Sequence, residues 1–97
     1  MDLSAVRSWL RNELGIANGV TDVHLFGSVL ANTATCSDVD CIIVFDRWEV
    51  RAAVGEIRAR FATEFGRSLH VQMFHESQRP MLSKFLERAA AWESVLE

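Results

Sequence analysis

Two short stretches of the 97-residue chain carry residue types that can do chemistry together: Gly27-Ser28, and Asp38-Val39-Asp40. If Asp38–Asp40 is extended, residues two apart project from the same face. Their Cα atoms are then about 6.6 Å apart, two strand rises of about 3.3 Å. Two ionised carboxylates at that separation repel by roughly 2–3 kcal/mol at an effective dielectric of 20. A cation between them reverses the sign of that interaction. Mg²⁺ suits such a pair, because it takes oxygen ligands and is usually held by one or two carboxylates together with waters and substrate phosphates. Gly27 lets a phosphate approach the backbone closely. A helix starting at Ser28 would add free N–H groups and a favourable dipole. A phosphate cradle beside a metal site is what phosphoryl or nucleotidyl transfer requires.

The elements that must hold these residues can be read from the pattern. Leu3, Val6, Leu10 and Leu14 form one apolar helix stripe, with Asp2 or Ser4 as cap and Gly15 or Gly19 as stop. Val20–Phe26 alternates as a strand, and Gly27 and Ser28 break it. Asp38–Phe45 is a second strand. Its end, Cys41-Ile42-Ile43-Val44-Phe45, is apolar on both faces, so it lies centrally or is covered on both sides. Trp48–Phe65 carries Val50, Val54, Ile57, Phe61 and Phe65 at helical spacing and stops at Gly66. Ser68–Phe74 alternates as a third strand. Pro80 opens a last helix whose apolar face runs through Leu82, Phe85, Leu86, Ala89 and Leu96. Strands alternating with helices give a small sheet covered by helices, an α/β or α+β architecture in a single domain spanning residues 1–97.

Phe26-Gly27-Ser28, nine intervening residues, and then Asp38-Val39-Asp40 entering an apolar strand, with Ser37 just before the acids, resemble the signature of the DNA polymerase β-like nucleotidyltransferase superfamily, and most closely its minimal nucleotidyltransferase branch. The resemblance covers nearly the whole chain. It implies the order αβαβαβα around a mixed three-stranded sheet. It also implies Mg²⁺, and transfer of a nucleoside monophosphate from a nucleoside triphosphate to a protein or small-molecule hydroxyl. Carried over, Gly27 and Ser28 hold triphosphate oxygens, and Asp38 and Asp40 bind the metal. Minimal members often pair with a helical toxin of the HEPN type and act as antitoxins, so a protein partner of that kind, or a second copy, is the expected company.

The chain departs from the family pattern at two places. A third carboxylate belongs on the polar face of the third strand; here the position falls at His70, or at Gln72 if the register shifts by two, and neither is an acid. His70 is either a general base near neutral pH or the mark of a site that has lost part of its metal shell. In the second case the chain is a binding module that acts through a partner or a bound nucleotide. Glu76 lies beyond the strand and reads as a cap or first-turn acid of the last helix. The second departure is Val29-Leu30-Ala31, apolar where related proteins often carry a basic residue soon after Gly-Ser.

Composition excludes other classes. The hydrophobic fraction of 49% is that of a globular chain. A net charge of −3 argues against a nucleic-acid-binding face, and Arg47, Arg51, Arg58 and Arg60 are interleaved with acids. No apolar run approaches the roughly 20 residues of a membrane span. Cys36 and Cys41, with His70 and His75 far downstream, do not have zinc-ligand spacing. The N-terminus reads as lacking a signal peptide, so the expectation is a cytoplasmic protein with reduced thiols. His24 and His75 are expected to be partly exposed structural residues. Trp9, Trp48 and Trp92 belong either to the core or to a partner surface, with Trp92, in an Ala-rich last helix, the best surface candidate.

Overall fold

A computed structural model describes residues 1–89 and 91–96. The elements run α1 (Leu3–Leu14), β1 (Val20–Phe26), α2 (Ser28–Ala31), β2 (Asp38–Phe45), α3 (Val50–Phe65), β3 (Ser68–His75), a 3-10 turn (Glu76–Gln78), α4 (Arg79–Arg88) and β4 (Trp92–Ser94). The strands form one mixed sheet in the order β3-β2-β1-β4, with β1 antiparallel to both β2 and β4, and β2 parallel to β3.

One face of the sheet carries the main core. Val6, Leu10 and Leu14 of α1 and Val54, Ile57 and Phe61 of α3 bury against Val23 and Leu25 of β1, Val39, Cys41, Ile43 and Phe45 of β2, and Leu69 of β3. This is the direct product of two periodicities: the helix stripes meet the in-facing alternate residues of the strands. Phe61 and Leu10 are fully buried. Arg58 of α3 fastens the helix to the sheet, its Nε donating to the Leu69 carbonyl at 3.0 Å. The opposite face is covered more sparsely, by α4. There Ile42 and Val44 meet Leu82, with Phe26, Phe74, Phe85 and Leu86 around them. Strand β2 is therefore buried on both faces, as its unbroken apolar run requires.

Several expectations need correction. The sheet has four strands, not three, and the last helix does not run on to Leu96. It ends at Arg88, and the chain then turns back as β4. Trp92 is thus a strand residue, not a helical one. Tertiary pairing decides this: Trp92–Ser94 add to the outer edge of β1 and pair backbone groups there. Val95 donates its N–H to the Val23 carbonyl at 2.8 Å and buries completely. Glu93 pairs with Arg7 of α1, and Arg11 donates to the Val95 carbonyl at 3.0 Å, so the first helix clamps the last strand. Helix α3 begins at Val50, where its apolar spacing starts, and not at the expected Trp48, which lies in the preceding turn.

A further correction concerns His24. It is buried, 5% exposed, with Nε2 3.2 Å from Asp22 Oδ2 and its ring edge-on to Trp92 at 5.3 Å. It sits in the middle of β1 between Ile42 and Ser94, where neighbours on both strands enclose it. His75 is half-buried, as expected of a structural residue: its ring stacks on Trp48 at 5.2 Å and Nδ1 accepts from the Ser77 N–H at 3.1 Å. Trp9 packs edge-on against Phe61 and Phe65, whereas Trp48 and Trp92 are 59% and 45% exposed. Cys36 and Cys41 are free and buried. Among the described residues, no helix is long and apolar enough to cross a membrane.

Candidate functional site

The sequence candidates converge at one end of the sparsely covered sheet face. In the parallel β2–β3 ladder Asp38 is opposite Ser68 and Asp40 is opposite His70; in the antiparallel β1–β2 ladder Phe26 is opposite Asp40. Phe26 in turn faces Trp92 of β4. Because cross-strand partners share a face, one row runs across the sheet: Trp92, Phe26, Asp40, His70. Asp38, two residues before Asp40, lies on the same face and further toward the end of the sheet. This register places His70, not Gln72, at the position where the resemblance expects a third acid.

His70 lies against both carboxylates. Its Nε2 is 3.7 Å from Asp38 Oδ1 and its Nδ1 is 3.6 Å from Asp40 Oδ1. These contacts are too long for hydrogen bonds. The three side chains remain open to solvent, at 42% for Asp38, 32% for Asp40 and 53% for His70. The pattern of burial along β2 is alternating at this end, with Val39 and Cys41 pointing into the core between and after the acids. Burial pushes the Cys41 thiol up to about 12, with Asp40 adding to the effect and Arg58 opposing it. Cys41 is therefore a packing residue and not a nucleophile.

Gly27 closes the site from the β1 side. Its backbone has φ 79° and ψ −148°, a region that is essentially closed to residues with a side chain. A Cβ there would sit 3.0 Å from Asp40 Oδ2. Glycine is thus required twice, once for the backbone and once for the space beside the carboxylate. Ser28 follows, exposed, at the start of α2. That helix is only four residues long. It supplies much less dipole than a full helix, so a phosphate beside Gly27 must find its positive charge elsewhere.

The donor set fits a divalent cation held by two protein carboxylates, with water and phosphate oxygens completing the shell. It does not form a closed protein cage: among the described residues, no group of three or more His, Cys, Asp or Glu is placed to hold a metal ion. A contribution that sequence reasoning missed comes from Arg67. Its Nε donates to the Cys36 carbonyl at 2.8 Å, pinning the loop two residues before Asp38. An arginine in the α3–β3 turn carries no signal of that role. Glu76 stays away from the acids. It is held by Arg79 at 2.8 Å and by the Thr21 hydroxyl, and these hydrogen bonds bring its carboxyl down to about 2. Its reading as a first-turn acid of the closing helical segment stands, with the 3-10 turn as the segment it opens.

A family model described as a nucleotidyltransferase domain matches residues 7–93. No curated protein and no solved structure matches.

Proposed function

The chain belongs to the nucleotidyltransferase domain family, and from that premise we propose that it moves a nucleoside monophosphate from a nucleoside triphosphate to a hydroxyl of a protein or small molecule, with Mg²⁺ at Asp38 and Asp40. The observation that carries the proposal is the meeting of Gly27 and the Asp38–Asp40 pair on one exposed end of the sheet. A cation held by Asp38 and Asp40 would supply positive charge that offsets the charge built up in transfer. The chain's own residues do the rest. Asp38 and Asp40 fix where the cation and the reacting phosphate sit. Gly27 leaves room for the phosphate against the backbone. His70, exposed and on the same face, would accept the proton of the attacking hydroxyl as pyrophosphate leaves. A helical protein of the HEPN type is the partner in this proposal, with the chain as its antitoxin and the partner as a source of the acceptor hydroxyl.

A second reading is favoured by the contact of His70 with both acids. An imidazole against the pair, in place of a third carboxylate, weakens the hold on a catalytic cation. The chain would then bind nucleotide or partner without transfer. Incubation with α-³²P-labelled nucleoside triphosphates, Mg²⁺ and candidate acceptors separates the two. Transfer of label that is lost in Asp38→Ala and in Asp40→Ala supports the enzyme. Nucleotide binding with no transfer to any acceptor supports the binding module.

A further inference from the structure

A cleft of about 320 Å³ opens beside α4 on the same face of the sheet as the acids, lined by Phe74, Met81, Lys84, Phe85 and Arg88. That volume lies at the lower end of the range of small-molecule sites, which is roughly 300–1,000 Å³. Its walls have two characters. Phe74, Phe85 and Met81 offer apolar and aromatic surface, and Met81 is 58% exposed. Lys84 and Arg88 are exposed, one helical turn apart, and neither is in an ion pair among the described residues.

The direction of α4 connects this cleft to the acids. The helix starts at Arg79, which reaches Asp22 at 3.7 Å near the beginning of β1. It ends at Arg88, four residues before Trp92, and Trp92 pairs with Phe26, the neighbour of Asp40. The helix therefore climbs the sheet toward the carboxylate end, with Arg88 leading. A nucleoside triphosphate brings a flat apolar base and several negative charges. The segment after Gly27-Ser28 is Val29-Leu30-Ala31 and has no cation, and α2 is too short to add much dipole. A polyphosphate arriving at Asp38 and Asp40 needs positive charge, and the α4 cleft provides two cations beside an aromatic wall on the same face of the sheet.

We infer that the α4 cleft is the nucleotide subsite: Lys84 and Arg88 hold the polyphosphate, and Phe74, Met81 and Phe85 receive the base. The assignment rests on the nucleotidyl-transfer reading above and adds to it the residues that bind the donor. Charge-assisted contacts to phosphate are strong, and loss of two of them is expected to weaken binding about tenfold or more.

The test is an equilibrium titration of ATP, with Mg²⁺ present, into the wild-type chain and the Lys84→Ala/Arg88→Ala double variant, repeated with inorganic tripolyphosphate. The expected result is a loss of about tenfold or more for both probes, with an unchanged thermal melt, since both side chains are exposed. The inference is overturned if ATP affinity in the double variant stays within about twofold of wild type while Asp38→Asn/Asp40→Asn abolishes it; the transfer reading then survives without this subsite. If the wild type binds no ATP, both fall. A concentration-dependent dimer that Met81→Asp dissolves, with ATP affinity unchanged, would give the cleft to a second copy and also overturn the inference.

Discussion

Asp38 and Asp40 were legible as a pair because a strand puts residues two apart on one face, and the apolar run after them identifies the strand. What the sequence left open was which residue of β3 meets them, since a slip of two exchanges His70 for Gln72. Only the ladder decides that, and it pairs Asp40 with His70. His24 was misjudged for a related reason. Alternation gives the face a residue points to, not whether a neighbouring strand and helix cover it. Two predictions belong at this scale. In metal-free buffer Asp38→Asn should raise the melting temperature slightly, because it relieves a like-charge contact; with both acids partly exposed, the gain is below about 1 kcal/mol. His70→Asp should tighten Mg²⁺ binding severalfold by supplying a third carboxylate, measured calorimetrically. Glu76 has a defined pH signature. Its folded value of about 2 lies below the ordinary 4.5, so its contribution is present above about 4.5 and is lost as pH falls toward 2. The difference in melting temperature between wild type and Glu76→Gln should therefore shrink across that interval. The pair is exposed, so the difference is small at neutral pH.

Among the elements, α1, β1, β2 and β3 fell where periodicity places them, within a residue or two. Helix α3 did as well once the turn at Trp48 is set aside. The failure was at the end of the chain. Leu82, Phe85 and Leu86 continue in helical spacing into Ala89 and an alanine-rich stretch, and nothing local says that the helix stops at Arg88. The open edge of β1 makes the decision: it recruits Trp92–Ser94, and Val95 drops into the core behind it. Val95→Ala should cost about 2 kcal/mol through lost burial and the cavity left behind, read as a fall in the urea midpoint. That is a large share of the roughly 5–15 kcal/mol that holds a domain of this size. Gly27→Ala tests the other element-level device, the strand-to-helix turn. The strained backbone costs about 1–3 kcal/mol, and the added methyl meets Asp40 at 3.0 Å. The variant should lose stability and also nucleotide binding, whereas a change affecting only the fold would leave the affinity of the remaining folded molecules intact.

For the molecule as a whole, α1 and α3 stabilise one face of the sheet, and α4 covers only part of the other. The acid end of that second face is left open. This asymmetry produces a site, and no second domain among the described residues closes over it. An acceptor or partner protein is the natural cover. The central claim is that Asp38 and Asp40 form a cation-dependent nucleotide site, and calorimetric titration of a non-hydrolysable nucleoside triphosphate with and without Mg²⁺ tests it most directly. Wild type should bind the nucleotide more tightly with Mg²⁺, and Asp38→Asn/Asp40→Asn should lose that gain while keeping its fold. Equal affinity with and without Mg²⁺ in the wild type, or an unchanged Mg²⁺ gain in the double variant, would contradict it.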